Sequence, residues 1–486
     1  MVIQRDKPAT LWGWADAGEK VTVTFADQTV TTTADAKGEW TVALKPLKAS
    51  AEGRTLTVAA ENTIVVENVL VGEVWIASGQ SNMQWTLSKS GDAQKHIAAA
   101  NHPHIRFFTV ERKPAGEPQV DAKGQWLAVT PETAAGDLTA VGYHFAVELQ
   151  RELKVPVGIL NTNWGGTVAE AWTPREFLLS KPNLKYLVEK YDDAAENYDS
   201  QKDQKRYEEA MVKWKAAAEA AKAANKPAPR QPAKPTHPSG NQNSPSTLYN
   251  GMIHPFIHMA VRGAIWYQGE SNVNRAYEYR TLFPTMIAAW RSRFGIVDMP
   301  FYFVQLAPYD YNRGNAAGAQ NLPELWDAQL FTLNTVANTG MPVITDIATL
   351  NDIHPPNKVD VGKRLALWAL AKTYNRSNLF HSGPIFSKAT VTGDKIALSF
   401  QHDASLASRD GKPLSHFTIA GADQKFKPAT ATIEGKQIIV ASPEVPNPVA
   451  VRFAWSNTAE PNLINASRLP ASPFRTDDWP LNTQPK

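Results

Sequence analysis

Four short polar segments carry side chains able to perform acyl transfer. They are Ser78-Gly79-Gln80-Ser81-Asn82-Met83, Trp164-Gly165-Gly166-Thr167, Tyr267-Gln268-Gly269-Glu270-Ser271-Asn272 and Asn351-Asp352-Ile353-His354-Pro355-Pro356. A serine hydroxyl at a strand-to-helix turn is open to an incoming substrate, and neighbouring backbone N–H groups can meet a developing oxyanion. Ser81 stands at such a turn. The paired Gly165 and Gly166 let backbone N–H groups approach a ligand with no side chain between. Gln268 carries an amide that can donate to negative charge. Glu270 is not a residue that packing alone would place there, because an unpaired buried carboxylate is costly. A base must take the serine proton, and His354 suits, since Pro355 and Pro356 stiffen the chain beyond it. A nearby carboxylate would orient the imidazole, giving the chain order Ser81, Asp352, His354. Each segment alone also reads as an ordinary turn. It is their convergence at the strand ends of one sheet that argues for a site.

The elements that must position these segments are legible in the hydrophobic pattern. Val69-Leu70-Val71-Gly72-Glu73-Val74-Trp75-Ile76-Ala77 is a near-continuous apolar run ending at the first polar segment. Such a run marks a parallel strand buried on both faces. Similar runs stand at Val157-Gly158-Ile159-Leu160, Gly263-Ala264-Ile265-Trp266-Tyr267, Phe301-Tyr302-Phe303-Val304 and Pro342-Val343-Ile344. Helical stretches separate them, from Tyr143 to Leu153 and from Tyr277 to Phe294, whereas His102-Pro103-His104 reads as a loop. This alternation predicts an α/β sheet with ligands at the strand C-termini. Residues 1–68 alternate as short strands and predict a small β-sandwich-like domain, and residues 380–486 predict a second β-rich domain. The core then spans 69–379, with a helical and Pro-rich insertion at about 186–247. Within it Tyr207, Met211, Trp214, Ala218 and Ala221 form a narrow helical seam that runs into a proline-rich return.

Composition excludes several chemistries. The 486 residues contain no cysteine, so there is no disulfide framework, thiolate nucleophile or Cys-based metal site. His254 and His258 are four apart, as a metal pair on a helix would be, but no third ligand accompanies them, and neither metal nor cofactor is expected. Fifty basic and 47 acidic side chains leave a net charge of +3 with no basic face, so nucleic-acid binding has no electrostatic footprint. No apolar run is long enough to span a membrane. Of the 15 tryptophans, Trp75 and Trp266 belong to buried strands. Trp85, Trp164 and Trp172 are candidates for walls that stack on a sugar ring.

Taken together, Gly79-Gln80-Ser81-Asn82-Met83, Trp164-Gly165-Gly166-Thr167, Trp266-Tyr267-Gln268-Gly269-Glu270-Ser271-Asn272 and Asp352-Ile353-His354-Pro355 resemble the sialate O-acetylesterase family of SGNH hydrolases. The bacterial members related to it include carbohydrate acetylesterases. The likeness runs nearly end to end, from Met1-Val2-Ile3-Gln4-Arg5-Asp6 to Leu469-Pro470-Ala471-Ser472-Pro473-Phe474-Arg475. It implies a flavodoxin-like three-layer α/β/α core and a serine esterase that works through an acetyl-enzyme. Ser81 is then the nucleophile and His354 the general base. The oxyanion hole would draw on the N–H of Ser81, an N–H at Gly165 or Gly166, and the side chain of Gln268. Glu270 and Asn82 would support these groups from behind.

The chain departs from the wider superfamily at one position. The Asp expected three residues before the histidine is Asn351 here, so orientation of His354 falls to Asp352, or else to Glu270 or a backbone carbonyl. The implied substrate is an O-acetylated plant polysaccharide or oligosaccharide such as xylan or xyloglucan. The alternatives are a sialate 9-O-acetyl ester and, in another class, a carbohydrate-binding protein with an idle core. The family usually carries a secretion signal and begins upstream of the Met1-Val2-Ile3-Gln4 segment. The resemblance therefore implies a truncated start and a periplasmic or secreted protein.

Overall fold

The 17-residue strand Thr63–Gly79 organises the molecule. The computed structural model describes residues 1–315 and 317–485. Residues 69–79 of that strand are buried without interruption, as their apolar run requires. Val157–Asn163 pairs parallel on one side and Gly263–Tyr267 on the other. His102–Thr109 and the antiparallel Trp126–Val129 complete one edge, and Phe301–Phe303 and Thr339–Gly340 the other.

Alternation along these strands decides which helices cover which face. Trp75 stands opposite Gly263 and Trp266 opposite Ser78, so the two indoles point to opposite faces. Trp75 meets Phe145 of the helix Ala140–Leu153 edge-on at 5.2 Å. Trp266 meets Phe283 and Trp290 of the helix Ala276–Arg293 at 6.4 and 5.9 Å. The helix Lys358–Trp368 packs on the first of these helices through Gly362, where a Cβ would lie 2.8 Å from the Val141 carbonyl oxygen. Asn321–Thr335 packs on the second. The result is the expected three-layer α/β/α arrangement around a mixed sheet.

Two local expectations are corrected. Residues 102–104 are not a loop but open the strand His102–Thr109. Pro103 is accommodated because the pairing with Trp126–Val129 breaks register between His102 and Arg106, where no N–H is required of it. The last strand forms at Thr339–Gly340 rather than at Pro342-Val343-Ile344. There Pro342 can only accept, and its carbonyl takes the Gln305 N–H at 3.0 Å.

The N-terminal strands Lys20–Phe25, Gln28–Thr33 and Ser50–Ala59 pair antiparallel, the last of them onto the first part of the Thr63–Gly79 strand. Val21, Val23 and Phe25 alternate inward to a core with Leu44, Leu56 and Val69. Asn68 turns the long strand between its two partnerships, with φ 55° and Arg106 Nη2 on its side-chain oxygen at 2.8 Å. Two four-stranded antiparallel sheets follow the core near the C-terminus. Phe474 joins them, stacked on Phe386 of one sheet at 4.5 Å and against Phe453 of the other at 5.5 Å. All of this lies in one compact unit, comprising Met1–Glu111, Lys123–Ala169 and Phe256–Lys486.

A second unit comprises Arg112–Ala122 and Glu170–Pro255. Its longest helix, Ser200–Ala223, has no fully buried residue. The Tyr207, Met211 and Trp214 seam is half-buried, and the proline-rich return lies along it, with Trp214 donating to the Pro229 carbonyl at 2.8 Å.

Candidate active site

Parallel register brings the first three polar segments side by side. Asn163 and Tyr267 both stand opposite Gly79, so the three strands end in one row and their following residues leave the same edge of the sheet. The chain at Gly79 has φ +137°, and a Cβ there would lie 2.2 Å from the Tyr267 carbonyl oxygen. Only glycine fits that approach. Ser81 then opens a single helical turn, Ser81–Gln84, in a half-buried position.

Amide side chains stitch the turns together. Gln80 Oε1 accepts the N–H groups of Gly269 and Ser271 at 3.3 and 3.2 Å. Asn272 Oδ1 accepts the Ala169 N–H at 3.0 Å. Gln84 Oε1 accepts the Gly165 N–H at 2.6 Å. A Cβ on Gly165 would sit 3.2 Å from Ser81 Cβ, so this N–H is held beside Ser81 and already carries an oxygen acceptor. Gly166, with φ +72°, is exposed and has open space around it.

Gln268 behaves differently from expectation. It is fully buried, and Nε2 donates to the Thr167 carbonyl at 3.1 Å and to Asn272 Oδ1 at 2.7 Å, while Oε1 accepts from the Tyr279 hydroxyl at 3.0 Å. An amide has two hydrogens, and both are engaged. In this arrangement Gln268 braces the glycine loop and offers nothing to an oxyanion.

The loop carrying His354 is held against the Ser81 turn at two points. Asn82 Nδ2 donates to the Ile353 carbonyl at 2.9 Å, and the Trp85 ring stacks on the His354 imidazole at 4.6 Å and 14°. His354 Nε2 is buried and makes no hydrogen bond among the described residues. Burial, and then the Lys358 charge, lower its pKa from the ordinary 6.5, while Asp352 opposes them. Asp352 lies 3.6 Å from His354 Nδ1, longer than a hydrogen bond, with its side chain 53% exposed. Its carboxylate instead accepts the His354 backbone N–H at 2.9 Å. Asp352 therefore shapes the loop without clamping the ring. Asn351 is exposed.

Beneath the pair lies a buried polar cluster that includes a residue the motifs do not reveal. Asn82 Nδ2 also donates to Glu270 Oε1 at 2.5 Å, and Lys358 Nζ donates to Asn82 Oδ1. Glu270 is raised above the ordinary 4.5, chiefly by burial. Lys358 sits at the first position of its helix, where a cation opposes the helix dipole. That unfavourable placement is the only hint the sequence gives of it. Of the three candidate sugar walls, Trp85 has one face on the imidazole, Trp164 is half-buried, and Trp172, in the second unit, is fully buried. Among the described residues no group of three or more His, Asp or Glu side chains is placed to hold a metal ion.

Residues 238–371 match the family model described as carbohydrate esterase, sialic acid-specific acetylesterase. Sialate O-acetylesterase from Rattus norvegicus is 29% identical, over 98% of this chain and 92% of its own length. The Homo sapiens sialate O-acetylesterase is 27% identical over 98% and 90%. The crystal structure of a carbohydrate acetylesterase from Xanthomonas citri superposes with a TM-score of 0.82 at 38% identity, covering 98% of this chain and 97% of that one.

Proposed function

The chain belongs to the sialate O-acetylesterase family of carboxylic ester hydrolases, and we propose that it removes O-acetyl groups from neutral acetylated carbohydrates by a Ser81–His354 mechanism. The observation that carries this reading is the double attachment of the histidine loop to the nucleophile turn, Asn82 to Ile353 and Trp85 to His354, with Nε2 left unpartnered. A neutral Nε2 accepts the Ser81 proton as Oγ attacks the acetyl carbonyl carbon. The tetrahedral oxyanion is met by the N–H of Ser81 and by those of Gly165 and Gly166, with the Gln84 oxygen displaced from Gly165. Collapse breaks the bond to the sugar oxygen, which takes the proton from His354 and leaves acetyl-Ser81. Water, deprotonated by the same imidazole, then releases acetate and restores the serine.

A neutral sugar is favoured over a sialate because two of the three arginines available to a carboxylate are already ion-paired, the third being the exposed Arg313. Arg175 is bidentate on Asp192 at 2.7 and 2.6 Å, and Arg275 holds Glu278 at 2.5 Å. The sialate reading is favoured instead by the names of the family model and of the mammalian relatives. Acetylated polysaccharides lie outside the cell, so the reading includes export. Among the described residues no helix is long and apolar enough to cross a membrane.

Hydrolysis of p-nitrophenyl acetate by wild type, Ser81→Ala and His354→Ala tests the mechanism. Losses of about 10³-fold or more in kcat are expected for both variants. Turnover surviving in Ser81→Ala would sink the reading. Acetate release from acetylated xylan, xyloglucan oligosaccharides and 9-O-acetyl sialic acid, measured side by side, tests the substrate class, and preference for the last would overturn the neutral-sugar assignment.

A further inference from the structure

We infer that Lys358 is a positioning residue for the Ser81–His354 pair, fixing Asn82 in the one orientation that ties the nucleophile turn to the histidine loop. This rests on Ser81 and His354 being the reacting groups.

Burial and helix position both work against an ammonium at position 358. The residue is fully buried and opens the helix Lys358–Trp368, so its charge lacks water and faces the positive end of the helix dipole. Burial brings its pKa down to about 7. What retains a cation there is its partners. Nζ donates to Asn82 Oδ1 and lies 5.5 Å from the centre of the Tyr267 ring. The carboxylates of Glu270 and Asp352 favour its charge, and the His354 imidazole is the other titrating group that feels it.

An asparagine amide has two faces of opposite character, and its neighbours decide which way round it sits. Glu270 Oε1 and the Ile353 carbonyl are both acceptors, and both take hydrogens from Nδ2. As an ammonium Lys358 has donors only, so it holds the oxygen end. A flipped amide would set its oxygen against two acceptors and its NH₂ against a cation. Asn82 directly follows Ser81, and Ile353 directly precedes His354. The orientation of this one amide therefore governs how the hydroxyl and the imidazole face one another. Errors of about 1 Å in such an alignment cost about 10²-fold in rate. Glu270 supplies the counter-charge, which explains a buried carboxylate that no packing argument would place there.

The test compares Lys358→Met, the double variant Lys358→Met/Glu270→Gln, Ser81→Ala and wild type on p-nitrophenyl acetate across pH ~5–9, with thermal melts. The double variant leaves no lone buried carboxylate, so it preserves the fold where the single variant fails to fold. Both lysine variants are expected to lose about 10–100-fold in kcat with KM within about twofold, because the cluster does not touch substrate. The acid limb of kcat/KM is expected to move to higher pH, since the cation that disfavours imidazolium is gone. A double variant with wild-type kcat and an unmoved acid limb would make Lys358 a charge-balancing core residue and overturn the inference. Turnover persisting in Ser81→Ala would overturn the esterase mechanism beneath it instead, a result separable from the first.

Discussion

In the proposed mechanism His354 works from a half-buried position, and burial disfavours its charged form more than the Asp352 carboxylate favours it. Only the neutral ring can take the Ser81 proton, so the acid limb of kcat/KM is expected below pH 6.5, the ordinary value for histidine. Asp352→Asn removes the single influence that raises this pKa, and the limb should shift further toward acid. Turnover should fall less than about 10-fold, because the carboxylate is half-exposed and 3.6 Å from Nδ1. A pH–rate profile of the variant decides the matter. A loss near 10⁴-fold, the cost of removing an aspartate that does hold the catalytic ring, would restore Asp352 as a full triad member. Ser81 and His354 could be proposed from sequence because each sits in a motif whose residue types have few other uses. Gln84 and Lys358 could not, since a glutamine in a turn and a lysine near a helix start are ordinary until the fold brings Gly165 and Asn82 to them.

Strands covered on both faces announce themselves as apolar runs, which is why the stretches ending at Ala77, Leu160 and Tyr267 were legible. The strand His102–Thr109 was not, because Pro103 and Arg106 break its pattern and the compensating register shift is a tertiary event. What no single strand discloses is register. The common row formed by Gly79, Asn163 and Tyr267 makes one site of three turns, and it depends on the close approach of Gly79 to the Tyr267 carbonyl. Gly79→Ala should therefore cost more than the dihedral strain of about 1–3 kcal/mol. Gly393→Ala supplies the control, since its φ of +60° is also left-handed but nothing lies within 4 Å of the added carbon. Urea unfolding of the two variants should show the greater loss for Gly79→Ala, accompanied by a fall in kcat absent from Gly393→Ala. Equal losses in both measurements would mean that the strand ends tolerate separation.

At the scale of the whole chain, one buried carboxylate joins the N-terminal β segment to the sheet that carries the chemistry. Glu73 is fully buried near the start of the parallel portion of the long strand. It holds Arg5 Nε at 2.5 Å, Arg262 Nε at 2.7 Å and Gln4 Nε2 at 3.1 Å. Arg5 follows the strand Val2–Gln4, which pairs parallel with Leu70–Gly72, and Arg262 immediately precedes Gly263–Tyr267. Six residue steps along the strand separate Glu73 from Gly79, roughly 20 Å at about 3.3 Å per step, so the cluster lies at the far end of the sheet from Ser81. Buried ion pairs contribute little net stability against a well-packed apolar alternative, but removing one partner is severe because the rest remain buried and charged. Glu73→Gln leaves two partly exposed guanidinium groups facing a neutral amide and should cost less than the ~3–5 kcal/mol of a fully buried pair. Because the lesion lies far from the reacting groups, kcat and KM of the folded enzyme at low temperature should equal those of wild type. Urea unfolding followed by fluorescence, paired with kinetics on the same preparation, separates the two quantities. Unchanged stability would show that the sheet does not rely on this carboxylate, and a lowered kcat in fully folded protein would show that strain at the base of the long strand reaches the row of turns at its tip.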